Sequence, residues 1–482
     1  MDLTETSPAE RAALLNAIAD ALSSAADELI PLAMAETGLA EARLTGELKR
    51  TVVQLRMFAD VCAEGEFLDV RLDAADPDFV LGPRPDLRRF NLPVGPVLVF
   101  AASNFPFAFS VAGGDTASAL AAGCPVILKA HPGHPRLSAL TAEKVRAAVA
   151  TAGLPAETFD VVHDQDAAVR LLRDDDRIAA AAFTGSYKVG RLLAAIAAGR
   201  ERPIPFYGEL GSVNPVVVTP GALAERADTL ATGFVASVSG SAGQLCTKPG
   251  FLFLPDGHGL ADTLGSAAGA VPGHPLLHEG IAAAYAARRA AVLATPGVSV
   301  LAEGSVETEP SGRSLAAPTL VEVGLGDLLK HRATLLDEAF GPLSVVVRYD
   351  PDRLDLLVAA VGELFPGALT ATVHRAAGES DAWLRGLVAV LRERVGRLLF
   401  DGWPTGVAVT PAMQHGGPFP ATTAPATTSV GTAAIQRFLR PVVFQDCPPE
   451  LLPAPLRDDN PWRVPQRRAA AGASQNWGHR SA

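Results

Sequence analysis

The chain has 482 residues, of which 48% are hydrophobic and only 19% charged, and its mean hydropathy is +0.22. That length calls for two or three domains, and that composition excludes a disordered or low-complexity chain. A formal net charge of −11 argues against nucleic acid as a partner, because phosphate recognition needs a concentrated basic surface.

The opening residues are acidic and lack the basic and continuous apolar stretches of a signal peptide. Residues 7–60 read as helical. Ser7 is a suitable N-cap and Pro8 suits the first helical position. Leu14, Ile18 and Leu22 recur every four residues and make an apolar stripe on one face. Thr37-Gly38 ends a helix, and a second runs on through Met57 and Phe58. Between 66 and 92, Pro77, Gly82, Pro83 and Pro85 punctuate short extended pieces, the pattern of an arm or hairpin.

From residue 94 an alternation begins. Apolar runs at 97–102, 126–129, 159–162 and 178–183 have the character of buried parallel strands. Alanine-rich helical stretches at 114–122, 136–152, 165–173 and 187–198 separate them. This alternation predicts a doubly wound α/β sheet, which binds ligands at the carboxyl ends of its strands. Ser103-Asn104, Lys129 and Thr184-Gly185-Ser186 fall at such ends. After residue 212 the pattern restarts, with 215–218, 251–255, 343–349 and 398–401 as strands of a second α/β domain. The apolar segment 438–444, interrupted by Pro441, suits an edge strand. From Arg457 onward a mixture of proline, charge and small residues predicts a tail without regular structure. No apolar run reaches the roughly 18 residues of a membrane span, so a cytoplasmic protein without membrane partners is expected.

Four cysteines, Cys62, Cys124, Cys246 and Cys447, lie far apart without CxxC or zinc-type spacing, which suits a reducing compartment and no metal site. Cys246 lies in Ser-Ala-Gly-Gln-Leu-Cys-Thr-Lys-Pro-Gly, where glycines permit a tight turn and Lys248 would favour the thiolate. Taken alone, a cysteine in a small-residue loop is more often structural, so its neighbours must decide. Glu209 follows a short buried stretch with glycines beside it, and a carboxylate in a cleft there would have a raised pKa and act as base toward water. A surface glutamate in a turn is the alternative. Asn104 follows the run 97–102, where a side-chain amide donates to a developing oxyanion or simply forms a turn. His131 and His134 form an H-x-x-H pair, but the prolines at 132 and 135 favour a loop over a metal site. Arg437 and Arg440 read as solvated or interface charges.

Asn104-Phe105-Pro106, Phe183-Thr184-Gly185-Ser186, Glu209-Leu210-Gly211, Gly243-Gln244-Leu245-Cys246 and Glu338-Ala339-Phe340-Gly341-Pro342 occur in this order over nearly the whole chain. Together they resemble the aldehyde dehydrogenase superfamily. The stretch 109–125, Lys129-Ala130-His131-Pro132 and the segment 428–441 are similar to its 2,5-dioxopentanoate (alpha-ketoglutarate semialdehyde) dehydrogenases, relatives of NADP-dependent fatty aldehyde dehydrogenases.

The resemblance implies two doubly wound α/β domains plus a small oligomerisation arm. Cofactor binding would fall to 1–65 and 94–211, oligomerisation to 66–93 and 436–448, catalysis to 212–435, with 449–482 as a C-terminal tail. It implies Cys246 as nucleophile, Glu209 as base and Asn104 as oxyanion donor. Lys129 would contact the adenosine ribose, Ser186 the pyrophosphate and Glu338 the nicotinamide ribose, with Gly185, Leu210 and Phe340 completing the cofactor set. NAD-preferring relatives often carry a glutamate where this chain has Pro132, so NADP is the expected cofactor, with NAD as the alternative. The implied partners are an aldehyde and further copies of the chain, as a homodimer or homotetramer. Two departures stand out: Lys248 replaces an asparagine usual in near relatives, and the chain starts late, so an early strand pair is expected to be absent. A broad aliphatic or fatty aldehyde dehydrogenase and a non-catalytic nucleotide-binding protein of the same fold are the alternatives.

Overall fold

The structure, a computed structural model, describes residues 3–478. Helix Pro8–Ser24 starts on a full capping box: the Ser7 hydroxyl accepts from Glu10 N at 3.3 Å, and Glu10 Oε2 accepts from Ser7 N at 2.7 Å. Leu14, Ile18 and Leu22 are buried, as their spacing requires. Helix Ala26–Thr37 ends at Gly38, whose φ of 71° is the left-handed conformation that glycine adopts without a Cβ penalty. Helix Glu41–Glu64 completes this layer.

The layer shares one hydrophobic core with a five-stranded parallel sheet. Val97–Phe100 is the central strand, flanked by Val126–Lys129 and then Phe159–Val162 on one side. Ala180–Thr184 and then Phe206–Glu209 lie on the other. The chain reverses direction of winding between Val97–Phe100 and Ala180–Thr184, and a crevice at the carboxyl ends of these strands follows from that switch. The helix Gly114–Ala122 is buried at every position, which its almost wholly small side chains permit.

A seven-stranded sheet forms the second layered unit. Its order is Ser299–Ala302, Thr319–Gly324, Leu343–Tyr349, Phe251–Pro255, Pro215–Val218, Ala368–His374 and Val395–Phe400. Every pairing is parallel except that of the edge strand Ser299–Ala302. Three of these strands, 299–302, 319–324 and 368–374, escape the apolar-run criterion. Ala-Leu-Thr-Ala-Thr-Val-His is fully buried, yet its alanines and threonines carry little hydrophobic signal.

A four-stranded sheet joins Leu439–Gln445, Leu87–Pro93, Val70–Asp73 and Gln466–Ala469 in that order. Leu439–Gln445 is its edge, with Pro441 opposite Asn91. The expectation of an irregular tail fails here: Gln466–Ala469 pairs in parallel with Val70–Asp73, and a short 3-10 turn follows at Ala473–Asn476. Backbone pairing to an existing edge orders this segment, which its polar side chains did not announce. Arg437 also departs from the expected solvated or interface charge, because it is buried within the chain. It is 3% exposed, pairs with Asp115 at 2.7 Å, and its guanidinium lies 4.9 Å from the Phe438 ring centroid. Arg440 is exposed. Among the described residues no helix is long and apolar enough to cross a membrane.

Candidate active site

Cys246 is carried on the loop between helix Pro220–Ser239 and strand Phe251–Pro255. The loop is tightly wound: Ser241, Ala242 and Gly243 have φ of 51°, 53° and 64°. Left-handed backbone at two non-glycine residues is strained and persists only where surroundings over-determine it. Those surroundings are specific. A Cβ at Gly243 would lie 2.4 Å from the Gly341 carbonyl oxygen. Gln244 Nε2 donates to Ser241 O at 3.0 Å and Pro275 O at 3.1 Å, and Gln244 Oε1 accepts from Leu277 N at 2.9 Å. Asn214, fully buried, donates to the carbonyls of Cys246 at 2.8 Å and Lys248 at 2.9 Å. The thiol is thereby held in one place.

Asn104 and Glu209 reach it from the first sheet. Asn104 follows strand Val97–Phe100 and donates through Nδ2 to Gln244 O at 2.9 Å. That bond uses one amide hydrogen and leaves the other for a substrate oxygen. Glu209 ends strand Phe206–Glu209, and its Oε2 accepts from Ser429 Oγ at 2.6 Å.

A residue the sequence did not single out completes the cluster. His415 Nε2 lies 3.5 Å from Cys246 Sγ and 2.9 Å from Glu209 Oε1. A proton on Nε2 turns the second contact into a hydrogen bond. Ligand atoms of the three residues all lie within 4.8 Å of one another. His415 comes from the long irregular stretch between strand Val395–Phe400 and residue 432, in Gln-His-Gly-Gly-Pro. A Cβ at Gly417 would lie 2.4 Å from Ala368 O, so the glycine lets this segment lie directly on the second sheet. A structureless stretch of this length in a compact domain is itself a functional signal.

The electrostatics differ from expectation in two ways. Burial pushes the Glu209 carboxyl up, but the His415 charge and hydrogen bonds from His415, Ser429 and Cys246 outweigh it and hold the carboxyl below its usual value. The raised pKa expected from cleft burial is therefore overturned by its neighbours. The Cys246 thiol is pushed well up, first by burial and then by the charge of Glu209. Lys248 does not counter this: its ammonium donates to Leu343 O at 2.6 Å, and burial lowers it to about 8. Arg50, instead, is the cation whose charge favours the thiolate.

The remaining predicted residues lie on other strand ends, loops and helix starts. Lys129, at its strand's end, is 8% exposed and lowered by burial, with Asp164 as the opposing charge. Pro132 is exposed on the following loop. His134 bonds Ala102 O and Ser138 Oγ, each at 3.1 Å, and His131 Nδ1 accepts from Gly133 N at 3.0 Å, as loop-forming residues do. Ser186 caps helix Tyr187–Ala198, its hydroxyl accepting from Val189 N at 3.4 Å. A Cβ at Gly185 would meet the Phe183 ring at 2.6 Å. Leu210 is buried, and its amide donates to Ala421 O at 2.8 Å. Glu338 Oε1 accepts from Ser212 N at 3.4 Å, and burial, opposed by Lys248, pushes its carboxyl up to about 7. A Cβ at Gly211 would lie 1.9 Å from Glu338 Oε2, so a side chain there would displace the Glu338 carboxylate. Phe340 is half-buried against the core of the first sheet.

Residues 2–359 match the family model described as "Aldehyde dehydrogenase family". A protein of Azospirillum brasilense named alpha-ketoglutaric semialdehyde dehydrogenase 2 is 47% identical over 466 residues, covering 95% of this chain and 87% of its own. One of Acinetobacter baylyi, named alpha-ketoglutaric semialdehyde dehydrogenase, is 41% identical over 467 residues, covering 95% and 86%. The fold is also that of lactaldehyde dehydrogenase from Escherichia coli, with TM-score 0.76 at 20% identity, covering 92% of this chain and 87% of that one. The chain belongs to the aldehyde dehydrogenase family.

Proposed function

We propose that the protein oxidises 2,5-dioxopentanoate to 2-oxoglutarate, with NADP preferred and NAD accepted. The observation that carries the chemistry is the cluster, buried at Glu209 and His415 and half-buried at Cys246, in which Cys246 Sγ, His415 Nε2 and a Glu209 oxygen lie within 4.8 Å of one another. The names of the two relatives above carry the choice of substrate.

In this reading Cys246 loses its proton to the His415–Glu209 pair, and the thiolate attacks the aldehyde carbon to give a thiohemiacetal. The second amide hydrogen of Asn104 and the Cys246 backbone N–H stabilise its oxyanion, an effect of roughly 3–4 kcal/mol. When bound, the nicotinamide cofactor supplies the hydride acceptor that takes the reaction to the thioester. Glu209 then takes a proton from water, which attacks the thioester carbon, and the C–S bond breaks to release the acid and restore Cys246. A retained base suits water as acyl acceptor better than a thiol.

Residues 1–65 with 94–211 would hold the cofactor, 212–435 would supply the thiol, 66–93 with 436–448 would join copies of the chain, and 449–482 remains the tail. Lys129, Ser186 and Glu338 offer a cation, a helix N-terminus and a carboxylate, the set a dinucleotide needs. The cradle of Glu338 at Gly211 fits a ribose-binding carboxylate. Pro132 leaves the position three residues past Lys129 free of the negative charge that would repel a 2′-phosphate.

Steady-state rates with NADP and NAD across 2,5-dioxopentanoate, short alkyl aldehydes and a long-chain aldehyde test the reading. The highest kcat/KM is expected for 2,5-dioxopentanoate with NADP. A higher value for the long-chain aldehyde would replace the substrate, and a higher value with NAD would replace the cofactor. Cofactor binding without oxidation of any aldehyde would leave a nucleotide-binding protein.

A further inference from the structure

The cavity that reaches Cys246 has a volume of about 280 Å³ and is lined by Arg43, Glu47, Arg50, Phe105, Phe109 and His415 among others. Small-molecule sites start near roughly 300 Å³, so this is room for a short chain. Its charged side chains are not equivalent. Arg43 is fully engaged: Nε donates to Ser241 Oγ at 3.0 Å, Nη2 to Asn104 O at 2.8 Å, and Nη1 pairs with Glu47. Glu47 is engaged too, since its Oε1 accepts from Phe107 N at 2.8 Å and Ala108 N at 3.0 Å. The Arg43–Glu47 pair thus fixes the Asn104 loop, and the Glu47 charge also acts on Arg50, without a hydrogen bond to its Nε or Nη2.

Arg50 is the exception. Its Nε and Nη2 are buried and have no hydrogen-bond partner among the described residues. Its guanidinium carbon lies 5.4 Å from the centroids of both the Phe105 and Phe109 rings, which hold the plane in place. A buried guanidinium with open donors is costly unless an anion meets it. Nε–H and Nη2–H form one edge of the guanidinium, the edge that receives a carboxylate with two parallel hydrogen bonds.

We infer that Arg50 binds the far carboxylate of the substrate and selects aldehydes that carry one. This rests on the reading above that the site oxidises an aldehyde at Cys246. It adds the specificity-determining residue: the aldehyde meets Cys246 while the other end of a short chain meets Arg50. Phe105 and Phe109 cover the methylenes between.

The test measures kcat/KM for wild type, Arg50→Gln and Arg50→Lys on 2,5-dioxopentanoate, succinic semialdehyde and 5-oxopentanoate, with butanal and pentanal as uncharged counterparts. The ratio of carboxylate to uncharged aldehyde is expected to fall about 30- to 100-fold in Arg50→Gln, mainly through KM, and to recover in part in Arg50→Lys. A ratio that Arg50→Gln leaves unmoved overturns the assignment, because a structural loss would lower both substrates together. Wild type without any preference for carboxylates overturns it as well. If another carboxylate aldehyde exceeds 2,5-dioxopentanoate in wild type and Arg50→Gln still loses the preference, Arg50 stands and 2,5-dioxopentanoate falls as the substrate. Should Arg50→Gln fail to fold, inhibition of wild type decides. 2-Oxoglutarate must then bind at least about tenfold tighter than pentanoate, which lacks the far carboxylate, and equal inhibition refutes the anchor.

Discussion

Replacing His415 by alanine removes the side chain that touches both reacting groups, 2.9 Å from Glu209 Oε1 and 3.5 Å from Cys246 Sγ. Two losses follow from one change. A hydrogen bond to a charged group contributes about 1.5–3 kcal/mol, or roughly 10- to 150-fold if it is needed only as the thiolate forms. The second loss is electrostatic. His415 is the largest influence holding the Glu209 carboxyl down against burial, so without it that carboxyl rises. Glu209 acts as a base only when ionised, and activity is lost as pH falls through its pKa. The acid limb of the kcat/KM profile therefore moves to higher pH in His415→Ala. His415→Gln, which keeps a donor but cannot be charged, should move it less. Stopped-flow recording of reduced cofactor gives the rate of the acylation burst, and alkylation of Cys246 by iodoacetamide across pH reports the thiolate. An unmoved acid limb together with a burst within about threefold of wild type would refute the proton-sharing argument, since that is less than 1 kcal/mol.

Three further outcomes follow from other contacts. Glu209→Gln should allow one burst of reduced cofactor and then stall at the thioester, and continued turnover at the wild-type rate would remove Glu209 from deacylation. Cofactor affinity should tighten as pH rises through about 7, where Glu338 becomes ionised and able to accept two hydroxyl hydrogen bonds. Glu338→Gln should flatten that dependence in a fluorescence titration, and a slope surviving the mutation would assign it elsewhere. Arg437→Ala strands Asp115, 2.7 Å away and 7% exposed, and should cost about 3–5 kcal/mol in urea unfolding. Adding Asp115→Ala should restore much of that loss, whereas additive losses would show that the pair is not the cause.

Much was legible along the chain because it is encoded locally. The capping box at Ser7, the parallel strands 126–129 and 159–162, and the helix 114–122 follow from hydrogen-bonding side chains, apolar runs and small residues that need no distant partner. The candidate residues Cys246, Glu209 and Asn104 were legible through the order of motifs, and so was the family. Their geometry was not. His415 looked like one histidine among turn residues, and Arg50 like one more charge on a helix. Lys248 is two residues from Cys246 in the chain, but its ammonium is spent on the Leu343 carbonyl.

What the sequence by itself determined was therefore the element pattern, the α/β class and the set of chemical groups at the strand ends, since each depends on neighbours a few residues away. Only the tertiary structure decided which charges meet. It brings His415 from a segment far along the chain onto Glu209, buries Arg437 against Asp115, adds the tail strand Gln466–Ala469 to Val70–Asp73, and leaves two nitrogens of Arg50 beside the thiol's cavity without a hydrogen-bond partner among the described residues. Protonation follows from this, because a pKa responds to burial and to charges within a few ångströms in space, whatever their distance in sequence.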